Sequence, residues 1–90
     1  MIELPLAIGA DLNAAAISCS GELFVMLSPK AFPPGQPLEL TLSPGTERAL
    51  VLQVRCIGSK LQADQRFEVR ARLINLSRNA RQQLNEAFGS

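Results

Sequence analysis

Ninety residues, 47% apolar and 19% charged, suit one compact domain and argue against intrinsic disorder. Nine basic and eight acidic side chains leave a net charge of +1, which supplies no global field for nucleic acid or a membrane surface. The chain has no His, which removes the commonest general base and the commonest metal ligand.

In chain order, Met1-Ile2-Glu3-Leu4-Pro5 places no basic segment ahead of an apolar run, so no secretory signal is expected. No apolar stretch approaches the ~20 residues of a membrane helix. A soluble, cytoplasmic domain is the expectation, without membrane insertion. Ile2 to Ile8 reads as a weak strand or only an extended arm, and Ala14 to Cys19 as a second weak strand. Leu23-Phe24-Val25-Met26-Leu27 is apolar on both faces, as in a strand covered on both sides. Core is the first reading of Phe24 and Met26; the alternative is a protein-binding surface or oligomer seam.

Pro33-Pro34-Gly35, Ser43-Pro44-Gly45-Thr46 and Gly58-Ser59-Lys60 break the chain into strand-length pieces, the punctuation of an all-β domain. Leu38, Leu40 and Leu42 alternate with polar residues. After the Pro44-Gly45 turn, Leu50, Leu52, Val54 and Cys56 alternate in turn, so the two runs should form an antiparallel hairpin. Phe67, Val69, Ala71 and Leu73 alternate with Arg66, Glu68, Arg70 and Arg72, the cleanest period of two in the chain. With four Phe and no Trp or Tyr, the core must be built from Leu, Val, Ile and Ala.

The tail changes period. Ser77 is a fitting N-cap, Ala80, Leu84, Ala87 and Phe88 recur at helical spacing, and Gly89 suits the position after the helix. The helix 77–88 carries Arg78 and Arg81 near its start and Glu86 near its end, opposite to what its dipole favours. It therefore depends on packing, and the expected partner is the outside of the barrel over Phe24 and Met26.

Catalysis finds little support. Cys19 and Cys56 lack an activating His and a Cys-x-x-Cys spacing, and read as buried free thiols in preference to a disulfide. The carboxylates are scattered, and no Gly-rich phosphate loop precedes a helix. No enzyme, metal or cofactor is expected.

Ala16-Ile17-Ser18-Cys19-Ser20-Gly21, leading into an apolar strand, resembles the Asp/Asn-x-Ser-x-x-Gly signature of the PilZ domain. A Pro-Pro-Gly break, a Leu-alternating strand and a strand ending Val54-Arg55 follow in that family's order. Phe67-Glu68-Val69-Arg70-Ala71-Arg72-Leu73 then looks like its Tyr-x-Val-Gly-Val-x-Phe strand, and a helix ends the chain. The resemblance spans roughly residues 11 to 88. It implies an all-β barrel of six antiparallel strands with one C-terminal α-helix, formed by residues 1–90 as a single domain. It also implies cyclic di-GMP as the usual ligand, gripped by an Arg-x-x-x-Arg arm and completed by the Ser-x-x-Gly turn.

The chain departs from that pattern. No Arg precedes Arg48, and Ala16 stands where the acidic or amide anchor belongs, so only Ser18 and Gly21 remain of the ligand-binding motif. Losing three charge-assisted contacts costs roughly 5 kcal/mol, over three decades of affinity. The expected function is therefore a non-catalytic PilZ-like adaptor acting on a protein partner in bacterial motility, type IV pilus or secretion signalling, without cyclic di-GMP. The alternative is a cyclic di-GMP receptor whose arginine arm lies upstream of Met1.

Arg66, Arg70 and Arg72, with Arg55 on a neighbouring strand, form a candidate basic patch. A solvated face with partial charge pairing is one reading; a site for an acidic protein or a phosphate-bearing ligand is the other. An RNA-binding small barrel is disfavoured, because no basic residue of the row alternates with an exposed aromatic.

Overall fold

The computed structural model describes residues 3–9 and 12–88. Six strands, β1 (Leu4–Ile8), β2 (Leu12–Ser20), β3 (Leu23–Ser28), β4 (Pro37–Leu42), β5 (Leu50–Leu61) and β6 (Phe67–Ile74), are followed by one helix, α1 (Arg78–Ala87). Every pairing is antiparallel, and the order β1-β2-β3-β6-β5-β4 closes on itself as a barrel.

The alternation read from the sequence sets this register. Leu38, Leu40 and Leu42 stand opposite Val54, Leu52 and Leu50 across β4 and β5, and all but the half-buried Leu50 are buried in one core. On β6, Val69, Ala71 and Leu73 point inward while Arg70 and Arg72 are exposed. A one-residue slip would move either set to the wrong face, so the buried face fixes the pairing.

β1 is a full barrel strand and no loose arm. It pairs with β2 from Leu4↔Ala16 to Ile8↔Leu12 and with β4 from Leu6↔Leu42 to Ile8↔Leu40. Leu6 and Ile8, buried in the core, supply the apolar reason for its place. The third expected break is also revised: β5 runs through Gly58-Ser59-Lys60 to Leu61, with a register shift between Cys56 and Gly58. A β-bulge accommodates one extra residue, here Ile57, without ending the strand. The turn falls later, where Gln62 N–H donates to Arg66 O and Gln65 takes a φ of 68°.

Two plugs complete the core. At one end sits α1, whose Leu84 is 1% exposed and belongs to the core cluster. The Phe88 ring meets Phe24 edge-on at 6.4 Å, and Arg81 donates to Gly21 O in the β2–β3 turn. At the other end Phe32, in the loop between β3 and β4, is 7% exposed and also joins the core. Ser59 Oγ accepts from Phe32 N–H and donates to Phe32 C=O, each at 3.0 Å.

The expected docking of α1 on the outside of the barrel is corrected by these contacts. Phe24 and Met26 have no exposed surface and face the interior, so the helix meets Phe24 from the barrel mouth. The outer face of β3 carries Val25 and Leu27 instead, opposite Arg70 and Glu68 of β6. Leu27 shares a shallow depression with Ala15, Pro29 and Arg66.

Ser77 caps α1 as expected, its Oγ accepting from Ala80 N–H at 3.1 Å. The first turn carries no acid and the last no base, so packing of Leu84 and Phe88 holds the helix. Gly89 lies outside the described residues.

Candidate functional site

The β-ladder lays the candidate residues out in rows on the outer surface. One row runs Ser20 (β2), Leu23 (β3), Arg72 (β6), Arg55 (β5) and Pro37 (β4). The next runs Ser18, Val25, Arg70 and Gly58. In a closed barrel of six strands each step turns the outer surface by about 60°, so only side chains on adjacent strands of a row share a side. Arg70 and Arg72 on β6 and Arg55 on β5 are brought together, whereas Ser18, on β2, stands three strands from Arg55 on the opposite side of the barrel.

Phe24 and Met26 are not part of the outer surface. Both are fully buried in the barrel interior, which rules them out as an interaction surface and makes them core.

Ser18 follows a register shift in β2, where Ile17 is the extra residue between Ala16 and Ser18, and its side chain is exposed. Gly21 opens the two-residue turn between Ser20 and Leu23 with φ +60°, a conformation in which glycine carries no steric penalty. Ala16, at the motif's anchor position, has no exposed surface and pairs with Met26 inside the core. A carboxylate at that position would enter the barrel, not the outer face that carries Ser18.

The arginines differ in how they are held. Arg66 reaches Glu3 at 2.9 Å and Asp64 at 2.8 Å, and ties the start of β1 to the β5–β6 turn. Its hydrogen bonds hold the Glu3 and Asp64 carboxyls below their ordinary ranges, and the two acids push the guanidinium up in turn. Arg66 is thus a clamp, set apart from the rows above. Arg70 pairs with Glu68 at 3.1 Å and Arg72 with Glu22 at 2.9 Å. Arg55 makes no ion pair among the described residues; its guanidinium donates to Gly35 O at 3.2 Å.

Both thiols are free. Cys56 is buried and bonds to Phe32 O at 3.5 Å, whereas Cys19 is only half-buried. Burial pushes the Cys19 thiol up, against the smaller opposing pull of Arg81.

Sequence reasoning missed the exposed aliphatic residues beside the arginines. Leu23 is 37% exposed and Ile57, the extra residue of the bulge, 53% exposed. A bulge at Ile57 leaves no mark in an apolar-polar alternation that continues through Cys56. Among the described residues, no group of three or more Cys, Asp or Glu is placed to hold a metal ion, and no helix is long and apolar enough to cross a membrane. No family model, curated protein or solved structure matches the chain.

Proposed function

We propose that the chain is a non-catalytic, PilZ-like adaptor domain that works by contact with a protein partner in bacterial motility, pilus or secretion signalling, and does not bind cyclic di-GMP. The supporting observation is the position of Ala16. The residue that would anchor the nucleotide is replaced by a methyl group sealed in the core beside Met26, while the rest of the motif stays outside. The motif therefore serves the barrel: Ala16 packs, and Gly21 makes the turn on which Arg81 rests.

The rival reading, a cyclic di-GMP receptor completed by an arginine arm from upstream, draws on Ser18 and Arg70 lying in one row across Val25. Calorimetric titration of the unmodified chain with cyclic di-GMP separates the two. The adaptor reading expects no saturable heat at micromolar nucleotide. A micromolar dissociation constant overturns it.

A further inference from the structure

On the outer face of β5 and β6, Arg55 stands directly opposite Arg72. Like charges in directly opposed positions destabilise a sheet, because their Cβ atoms lie only about 5 Å apart. The two guanidinium groups turn to opposite sides, Arg55 donating to Gly35 O ahead of β4 and Arg72 to Glu22 ahead of β3. Arg72 has one weak counterion, Glu22, and both side chains are largely exposed, at 68% and 56%, so the contact is readily exchanged.

The pair sits in a local excess of positive charge. The outer positions of β3, β6 and β5, with the β2–β3 turn, carry Arg55, Lys60, Arg70 and Arg72 against Glu22 and Glu68, an excess of two. The whole chain carries only +1, so the remainder carries a net −1. Exposed aliphatic side chains flank it, Leu23 beside Arg72 and Ile57 next to Arg55. Arginine is enriched at protein interfaces, where the guanidinium engages carboxylates in a bidentate fork.

We propose that this face, centred on Arg55 and Arg72 and edged by Leu23 and Ile57, is the docking surface for an acidic segment of the partner protein. The inference rests on the adaptor reading and names the partner's chemistry. A carboxylate that drew both guanidinium groups away from Gly35 O and Glu22 would offset the repulsion that the free domain tolerates. Leucine or isoleucine side chains flanking that carboxylate in the partner would cover Leu23 and Ile57.

The test uses the full chain, labelled with ¹⁵N, and a synthetic peptide of alternating Asp and Leu, titrated at low salt and followed by amide chemical shifts. Shift changes clustered at Leu23, Arg55, Ile57 and Arg72, weakened by added salt, are the expected result. The double change Arg55→Gln and Arg72→Gln should weaken binding about tenfold or more. Arg55→Glu supplies the second readout. It puts opposite charges across the ladder but gives up the hydrogen bond to Gly35 O, so the melting temperature should stay within about 5 °C while peptide binding is lost.

Absence of shifts, shifts on another face, or binding that survives the double change overturns the surface and leaves the adaptor reading standing. A fall of more than about 5 °C with Arg55→Glu overturns it too, since Arg55 would then be chiefly structural. Inorganic phosphate binding this face while the peptide does not also overturns the acidic-partner assignment. Micromolar cyclic di-GMP binding, in contrast, is the failure of the adaptor reading itself.

Discussion

A helix closes one mouth of the barrel and the loop 29–36 closes the other, and the two are held by different forces. α1 brings Leu84 into the core and Phe88 against Phe24, with end charges that oppose its own dipole. The loop brings Phe32 into the core with no regular structure of its own. It is pinned by Ser59 Oγ on both sides of the Phe32 backbone, by Gly35 N–H to Cys56 O, and by Cys56 N–H to Gln36 O. Apolar burial is non-directional, so the helix end depends on area. Hydrogen bonds are directional, and buried backbone groups must find partners, so the loop end depends on a few atoms. The same task, sealing a barrel, is solved once by a surface and once by a set of points.

Truncation after Leu76 breaks the helix side of this comparison and should have the largest effect. Removing Leu84 and Phe88 from the core and uncovering Phe24 should cost about 3–6 kcal/mol, enough to lower the melting temperature by roughly 15 °C or more. A truncated chain melting within a few degrees of the full one would show that the barrel closes without its helix. Phe32→Ala should follow, at about 3 kcal/mol in urea denaturation.

The thiols report the ends separately, because Cys56 bonds to Phe32 O while Cys19 stands opposite Phe24, the helix partner. Phe32→Ala should accelerate native-state labelling of Cys56 and leave Cys19 unchanged; truncation should do the reverse. Equal acceleration of both in either variant would mean that the two ends open together.

Ser59→Ala probes the points alone. It removes two hydrogen bonds to Phe32 and almost no volume, and should cost about 1–2 kcal/mol without changing the urea m-value. The smallest effect belongs to the Arg66 clamp. Glu3 and Asp64 have lowered folded-state values, so their stabilisation is present above their unfolded values and disappears as pH falls through the folded ones. Both groups are exposed, so the acid-side slope should be shallow and flattened by high salt. Arg66→Gln should remove it; an unchanged slope in that variant would assign it to other carboxylates.

The alternation of Leu38–Leu42, Leu50–Cys56 and Phe67–Leu73 was legible because each strand buries one face, and a period of two states that directly. The Ser77 cap was legible for the same local reason. The place of α1 was not. Leu23 to Leu27 is apolar on both faces, and sequence does not say which of the two the helix meets. Phe32, between Ala31 and Pro33, has no periodic neighbours to mark it as core. Within the candidate site, the arginines were named in advance. The facing of Arg55 and Arg72 was not, because it follows from a cross-strand register that strand-by-strand patterns do not contain.

The two seams that close the barrel also bear on how quickly it assembles. Leu6 meets Leu42 across β1 and β4, and Val25 meets Arg70 across β3 and β6. Each joins chain segments that a random coil holds far apart, and the entropy of closing such loops is lost before any contact repays it. The β2–β3 hairpin, with its two-residue turn, and the β4–β5 and β5–β6 hairpins, with loops 43–49 and 62–66, join neighbouring segments, so they are the natural early structures. The barrel should then fold in milliseconds to seconds, not microseconds. Until β3 reaches β6, Phe24 and Val25 are both uncovered. That interval, before the native state is reached, is when the chain is most prone to aggregation.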